Sequence, residues 1–242
     1  MQLFITNNFE IKINQIYIYD NEIFHQITKV LRYKIWNYIY LQTDNFDKNI
    51  IRYKLQITSL QSNHNSISQI ITDITNIEYP KNTKNNKISI AVPYMNKREK
   101  YDRLVQKLSE VWVDEIVFWE ADNSIIHEVS DNKIQRFQKI AKEATEQSWW
   151  YLQAKISISK DIFDDIKGYK YAYIADYDWV HIDDLKDIWW SILFIVWPEG
   201  GFSKLEIAKF EKAKVGKILL WDTVLRTETA AILWWRWLKN MK

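Results

Sequence analysis

The sequence predicts an α/β protein in two parts: a β-rich amino-terminal part and a longer carboxy-terminal part in which strands and helices alternate. Up to Ile77 the apolar residues form short runs, rich in β-branched and aromatic side chains and separated by Asn or Asp turns. After Lys87, strand-like and helix-like runs alternate, which is typical of a mainly parallel sheet. The segment Pro80–Lys87 is polar and lacks periodicity, so it is the expected linker.

The amino-terminal part, residues 1–80, contains three clear strand candidates. They are Ile16–Tyr19, Tyr38–Leu41 and Tyr53–Ile57. Short strands of this kind, with turn residues between them, predict a small β-barrel or sandwich.

The carboxy-terminal part, residues 87–242, has the rhythm of an α/β layer. Strands are predicted at Ile88–Val92, Asp114–Phe118, Tyr171–Ala175, Ser191–Val196 and Lys217–Leu220, and helices at Lys97–Val111, Asp131–Ser148 and Thr227–Leu238. A further helix is expected to begin at Ser203, because Ser203-Lys204-Leu205-Glu206 has the form of a capping box.

The composition excludes several classes of protein. The chain has no cysteine, which excludes disulfides and thiolate zinc sites, and its 4 histidines are too far apart in sequence to suggest metal ligands. No metal is therefore expected. The chain lacks a run of about 18 apolar residues and a signal-peptide pattern, so we expect a cytoplasmic protein without membrane contact. The net charge of +2 does not by itself indicate a nucleic-acid partner.

Glycine and tryptophan occur in unusual numbers. The chain has 4 Gly and 13 Trp. Glycine normally accounts for about 7% of residues, and here the two residue types together reach about that share. We therefore hypothesise that many of these tryptophans occupy glycine positions, as they would if UGA codons that mean glycine in the source organism were translated as tryptophan. The alternative is a genuinely tryptophan-rich protein with large aromatic clusters.

Two stretches near the carboxy terminus have the plan of a strand, a tight loop and the start of a helix. They are Ile195–Ser203 and Leu219–Ala231. A loop that approaches a ligand closely needs residues that tolerate positive φ, which is the role of glycine. In the first stretch, Trp197 stands where that need is expected to be greatest. An ordinary strand-to-helix turn is the alternative interpretation of Gly200-Gly201 alone.

Together the two stretches resemble the paired signatures GPEGGFS and LG-x-x-(I/V)-LR-x-ETA of the RsmE family of SPOUT-class RNA methyltransferases, with tryptophan in place of glycine at Trp197 and Trp221. Three other segments resemble the family patterns H-x-x-x-x-VLR, KxxELGVxxI and EAxEQSG: His25–Arg32, Lys107–Ile116 and Glu143–Trp149. In these regions tryptophan again stands where the family has glycine, at Trp36, Trp112 and Trp149.

The chain also departs from the family pattern at two places. The family usually has arginine after EQSG, where this chain has Trp150, and Arg-Ser where this chain has Asn123-Ser124. These positions are expected to touch RNA, so the departures affect the details of substrate contact.

The resemblance implies a fold and an assembly. Residues 1–80 would form a PUA-like β-barrel that docks RNA, and residues 87–242 a SPOUT α/β methyltransferase domain whose carboxy-terminal segment forms a trefoil knot. Two subunits would pair at the knot domain, with the last helix contributing to the homodimer contact.

The resemblance also implies an activity. The family transfers a methyl group from S-adenosyl-L-methionine to N3 of uridine 1498 in 16S ribosomal RNA of the small ribosomal subunit. Carried over to this sequence, the cofactor-binding residues are Ala175, Val196, Trp197, Gly201, Leu220, Trp221 and Leu225.

Residues for RNA contact and catalysis follow from the same motifs. Arg226 is expected to grip an RNA phosphate or the uracil, since its guanidinium is a planar donor fork; the alternative is a salt bridge with Glu228. Arg226 and Glu228 are the candidate catalytic residues. Glu199 and Glu228 are the candidate bases; the alternative for each is a structural acceptor of loop amides. His25, Lys29 and Arg32, expected at a barrel edge, are candidates for phosphate contact; for His25 a hydrogen-bonded histidine of the barrel is the alternative.

Two other functions stay open. A non-enzymatic RNA-binding protein would use the barrel alone, and literal tryptophans at positions 197 and 221 would favour it. A SPOUT methyltransferase with another RNA target would share the fold, since contacts with RNA set the target. A Rossmann-type methyltransferase or dehydrogenase is disfavoured, because no G-x-G-x-x-G follows the first strand of the α/β part.

Overall fold

The computed structural model describes residues 1–43, 50–62, 68–80, 87–95, 97–124, 129–175 and 191–240, without the side chains of residues 235–240. The chain divides into two compact units. Unit 1 comprises Met1–Asn82 and Glu146–Tyr151, and unit 2 comprises Thr83–Thr145 and Leu152–Lys242. Residues 81–86 of the expected linker lie outside the described residues.

Unit 1 contains a curled, six-stranded sheet, a half-barrel. Its strands are β1 (Leu3–Ile5), β2 (Phe9–Lys12), β3 (Gln15–Ile18), β4 (Tyr38–Gln42), β5 (Arg52–Gln61) and β6 (Gln69–Glu78). The order is β1-β4-β5-β6-β3-β2, with β1 parallel to β4 and the other neighbours antiparallel. The three predicted strands are confirmed as β3, β4 and β5.

The segment between β3 and β4 is helical. Helix α1 (Asn21–His25) is followed by one π-helical turn, Gln26–Val30, rather than by a barrel strand. The Asp20 carboxylate caps α1 by accepting hydrogen bonds from the backbone N–H groups of residues 22 and 23 at 3.0 and 3.1 Å. Ile23 and Ile27, one helical turn apart, are both buried. His25, Lys29 and Arg32 therefore lie in or directly after a helical connection between two strands of the half-barrel, and their place at a barrel edge stays a prediction.

The last turn of a helix completes unit 1. The buried Glu146 carboxylate accepts a hydrogen bond from the N–H of Ile5 at 2.8 Å. Arg52 donates to the side-chain oxygen of Gln42 at 2.7 Å and to the carbonyl of Trp149 at 3.3 Å. These bonds satisfy polar groups that would otherwise be buried without partners, which explains why residues 146–151 belong to this unit.

Unit 2 contains a six-stranded sheet in which all neighbouring strands are parallel. Its strands are β7 (Ile88–Pro93), β8 (Glu115–Trp119), β9 (Lys155–Ile158), β10 (Tyr171–Ala175), β11 (Ile192–Ile195) and β12 (Gly216–Ile218), in the order β12-β10-β11-β7-β8-β9. The helices are α2 (Arg98–Glu110), α3 (Asp131–Ser148), α4 (Ile162–Asp165) with a 3-10 turn at Ile166–Gly168, α5 (Lys204–Lys212) and α6 (Thr227–Asn240). The predicted α/β class is confirmed.

Each face of this parallel sheet carries its own apolar core. On one face α2 and α6 pack together, and the fully buried Trp234 stacks on Phe194 with 4.4 Å between ring centroids. On the other face Trp119, Phe202 and Phe210 form a second cluster. Apolar residues on both faces are what a parallel sheet covered by helices requires.

Three tryptophans have a backbone conformation that favours glycine. The φ angles of Trp36, Trp112 and Trp149 are 77°, 71° and 58°. For residues with a Cβ the left-handed region costs roughly 1–2 kcal/mol. Trp197 and Trp221 are absent from this set, so the expectation that Trp197 stands where a positive φ is most needed was wrong; in that loop it is Gly201 that has a φ of 74°.

The described residues contain neither a membrane-spanning helix nor a cluster of metal-ligating side chains. No described helix is long and apolar enough to span a membrane. No group of three or more His, Asp or Glu side chains in the described ranges is placed to hold a metal ion.

Candidate functional site

A pocket opens at the carboxyl ends of β10 and β12, in unit 2. It is lined by Ala175, Trp197, Leu219, Leu220, Trp221, Thr223, Val224, Leu225 and Ala230. A concave site with a mainly apolar lining is typical of small-molecule sites. The structure thus brings together five of the seven residues predicted to bind cofactor, namely Ala175, Trp197, Leu220, Trp221 and Leu225.

The topology of the sheet explains why the pocket lies at this end. Along the chain, strands β7 to β9 extend the sheet in one direction, and β10 to β12 lie on the other side of β7. In such sheets ligands bind outside the carboxyl ends of the strands, near the point where the order reverses. The buried strand β11 leads into Val196, whose N–H donates to the carbonyl of Ala91 on β7 at 3.0 Å. Val196 is fully buried beneath the pocket rather than part of its lining.

The two motif loops are joined directly. The hydroxyl of Thr227, at the start of α6, donates to the backbone carbonyl of Trp197 at 2.9 Å. The N–H of Ala230 donates to the carbonyl of Arg226 at 2.9 Å and begins the helix. Because of this link, the loop after β11 and the loop after β12 form one wall of the pocket although they are 30 residues apart.

The loop after β11 turns at Gly201 and enters α5. The N–H of Gly201 donates to the carbonyl of Pro198 at 2.9 Å, which closes the turn. Ser203 and Glu206 then form the predicted capping box: the Ser203 hydroxyl accepts from the Glu206 N–H at 3.0 Å, and the Glu206 carboxylate accepts from the Ser203 N–H at 2.7 Å. That prediction is confirmed. Gly201 itself shapes the loop rather than lining the pocket.

The segment after β8 holds the same loop from another side. The side-chain amide of Asn123 donates to the carbonyl of Gly201 at 2.9 Å and to that of Gly200 at 3.3 Å. The N–H of Asp122 donates to the Glu206 carboxylate at 2.9 Å. Sequence reasoning expected position 123 to contact RNA and missed this role, because no local pattern connects residues 78 positions apart.

Helix α2 contributes an ion pair to the loop. The Lys100 ammonium pairs with the Glu199 carboxylate. The Glu199 carboxylate is thus engaged by a neighbouring cation and is absent from the pocket lining. The neighbouring Tyr101 hydroxyl accepts a hydrogen bond from the N–H of Met95, and the pKa of Tyr101 is raised, first by burial and also by the charge of Glu199. Its phenol is therefore not a base at neutral pH.

Comparison with known proteins decides the family. The family model for the RNA methyltransferase domain matches residues 81–239. This chain belongs to the RNA methyltransferase family. Two similar proteins are both named ribosomal RNA small subunit methyltransferase E: one of Mesomycoplasma hyopneumoniae, 28% identical over 84% of this chain and 86% of that protein, and one of Buchnera aphidicola, 26% identical over 93% and 87%.

Solved structures agree in fold with this RNA methyltransferase. The ribosomal RNA small subunit methyltransferase E of Neisseria gonorrhoeae, bound to S-adenosyl methionine, matches with a TM-score of 0.83 and 20% identity over 99% of this chain and 97% of that one. A methyltransferase of Legionella pneumophila, in complex with the same cofactor, matches with a TM-score of 0.80 and 19% identity over 98% and 96%. The resemblance to the RsmE family is confirmed, as is the fold class with its curled and parallel sheets; the knot stays a prediction.

Arg226 of the methyltransferase is available to a ligand. It follows Leu225 in the pocket wall, and its side chain is exposed. No ion pair joins it to any side chain that the structure describes, so the alternative of a salt bridge with Glu228 is not realised. Glu228 lies in the first turn of α6 and is half-buried.

The three residues predicted to contact RNA in unit 1 lie close together in sequence, between β3 and β4. His25 ends α1, Lys29 lies in the π-helical turn and Arg32 follows it, with a φ of 54°. All three side chains are exposed. Their exposure does not support the alternative of a barrel histidine at position 25.

Proposed function

We propose that this methyltransferase transfers the methyl group of S-adenosyl-L-methionine to N3 of uridine 1498 in 16S ribosomal RNA of the small ribosomal subunit. The observation that carries the proposal is the apolar pocket between the two motif loops at the carboxyl edge of the parallel sheet. The named relatives support the RNA substrate, and the two cofactor-bound structures support the methyl donor.

The pocket lining fits the adenosyl part of the cofactor. Ala175, Leu220 and Leu225 offer apolar contact to a flat aromatic base, and backbone amides and carbonyls of the two loops lie beside them. When bound, the cofactor supplies an activated methyl group. The protein has to hold the reacting uracil in line and exclude water, and ideal positioning of this kind is worth up to roughly 7–11 kcal/mol.

We assign RNA contact at the pocket to Arg226 and proton acceptance to Glu228. Uracil N3 is protonated at neutral pH, so its proton has to leave before or during transfer. Glu228 begins the helix that follows the pocket wall and forms no described ion pair. Glu228→Gln would retain the shape and remove the base, so methyl transfer should slow while cofactor binding stays unchanged.

Arg226→Ala is expected to lower methyl transfer to small ribosomal subunits by roughly 10- to 100-fold, because a charge-assisted hydrogen bond contributes about 1.5–3 kcal/mol. Cofactor affinity should not change, since the guanidinium is absent from the pocket lining. Steady-state kinetics and calorimetric titration measure the two quantities. Lys212→Ala, which removes an exposed cation at the end of α5, is the control. Equal activity of Arg226→Ala and the control would contradict this role.

In unit 1 we propose that His25, Lys29 and Arg32 contact RNA phosphates. His25 ends α1, Lys29 lies in the π-helical turn and Arg32 follows that turn, and all three side chains are exposed. Phosphate contacts of this kind position RNA without reading its sequence.

We also propose a cytoplasmic homodimer built on unit 2, with α6 in the contact. The motif resemblance and the apolar sequence of α6 support it. Light scattering at micromolar concentration should give the mass of two chains, and a monomer would exclude this assembly.

We further propose that many of the tryptophans are glycine in the natural protein. Trp36, Trp112 and Trp149 support this, because all three have left-handed φ angles and stand at family glycine positions. The buried indole N–H groups of Trp119 and Trp234 have no acceptor among the described residues, although buried Trp normally has one. The codons decide the matter: UGG at these positions would exclude recoding.

A non-enzymatic RNA-binding protein is the second candidate. The observation that favours it is that the bulky side chains of Trp197 and Trp221 line the pocket. If the chain binds ribosomal RNA but no S-adenosyl-L-methionine, even with glycine at both positions, this candidate replaces the methyltransferase.

A further inference from the structure

The short segment after β8, which contains Asp122 and Asn123, forms hydrogen bonds with the loop that precedes α5. Asn123 donates through its side-chain amide to two successive carbonyls, those of Gly201 at 2.9 Å and Gly200 at 3.3 Å. The Asp122 carboxylate accepts from the hydroxyl of Ser203. Two adjacent residues thus bind two backbone carbonyls of the loop and the hydroxyl that caps α5.

Glycine at position 200 leaves room for this contact. A Cβ there would lie 3.0 Å from the Cβ of Asn123 and 3.2 Å from its carbonyl oxygen, which is too close for an ordinary contact. Gly201, with its φ of 74°, turns the next carbonyl to the same amide. Gly200 and Gly201 therefore allow the Asn123 side-chain amide to pack closely against the loop backbone and to bond its carbonyls.

The contact acts on the pocket through the backbone. Fixing the carbonyl of Gly201 also fixes the plane of its peptide bond with Phe202. Phe202 packs against Trp197, with 5.1 Å between ring centroids, and Trp197 lines the pocket. Asn123 itself is absent from the pocket lining, so it can influence a bound ligand only by placing this loop.

We infer that Asn123 is a positioning residue, which holds the Gly200–Gly201 loop in the shape that binds S-adenosyl-L-methionine. The inference rests on the proposed function, since it names a residue that serves the same pocket. It assigns to position 123 a role toward the cofactor loop in place of contact with RNA.

Two substitutions test this inference. Asn123→Ala removes the donor, and Asn123→Asp keeps the shape but replaces the donor with an acceptor that repels both carbonyls. We expect the dissociation constant of S-adenosyl-L-methionine to rise about tenfold in Asn123→Ala and further in Asn123→Asp. The KM for small ribosomal subunits should stay unchanged. Backbone hydrogen exchange without cofactor should speed up in residues 199–203 alone.

Gln153→Ala is the control, because Gln153 also donates its side-chain amide to a backbone carbonyl, that of Gln138, at 3.2 Å. All variants are full chains, and each is tested both with tryptophan and with glycine at positions 197 and 221. If the parent chain binds cofactor and both Asn123 variants bind it equally well, the inference is wrong and the proposed function stands. If neither parent chain binds cofactor, the proposed function fails and this inference with it.

Discussion

Replacing Trp197 and Trp221 with glycine should tighten the binding of S-adenosyl-L-methionine by roughly 30-fold. Both side chains line the pocket, and the Trp197 indole N–H is buried without an acceptor among the described residues. Neither residue has a left-handed φ, so relief of backbone strain contributes nothing. The gain comes from space alone, and an over-packed site costs typically about 1–3 kcal/mol, of which 2 corresponds to about 30-fold.

Calorimetric titration of the two purified chains measures this effect. Trp36→Gly serves as the control, because Trp36 lies in unit 1 and does not line the pocket; it should leave the affinity unchanged. If the chain with Trp197 and Trp221 and the double glycine variant bind S-adenosyl-L-methionine with the same affinity, the two loops are not the cofactor site.

Glycine at positions 36, 112 and 149 should raise the stability of the protein. Each of the three tryptophans has a positive φ, and relief of that conformation is worth roughly 1 kcal/mol per site, or about 3 kcal/mol for the triple variant. The gain at position 149 will be partly offset, since the Trp149 ring packs against Tyr40 with 4.9 Å between centroids. Urea unfolding of the tryptophan-containing chain and of the triple glycine variant measures the change in the free energy of unfolding.

A pair of variants at one site separates strain from packing. Trp36 is 68% exposed, so its indole contributes little to the core. Trp36→Ala removes the indole but keeps the Cβ, and it should not stabilise; Trp36→Gly should. Equal stability of the two variants would show that the backbone at position 36 is not strained by its side chain.

Local sequence patterns predicted most of the helices and strands whose formation depends on residues within the segment itself. The helix Asp131–Ser148 and the strand Tyr171–Ala175 have the predicted bounds, because periodicity and β-branched residues act within the segment. Helix α1 was not predicted, although the Asp20 cap and the Ile23 and Ile27 spacing were available as signals. The four-residue strand Lys155–Ile158 was also missed, since so short a run carries little pattern.

In the candidate site, too, local sequence signals predicted some features and could not predict contacts between residues far apart in the chain. The two motif loops were predicted because glycine, proline and the capping box are local signals, and the pocket contains five of the seven named residues. The conformation at Trp197 was predicted wrongly, because family glycine positions differ in the φ they need. The contacts of Asn123 and Lys100 with the loop could not be predicted, since they join residues 78 and 99 positions apart through the fold.

The most direct measurement of the central claim is methyl transfer itself. The full chain, with glycine at positions 197 and 221, is incubated with labelled S-adenosyl-L-methionine and small ribosomal subunits that lack the modification, and the nucleosides are analysed by mass spectrometry. We expect one methyl group per subunit, as N3-methyluridine at uridine 1498 of 16S ribosomal RNA. A methyl group on ribose or on another base would contradict the target, and no transfer to any RNA would contradict the methyltransferase itself.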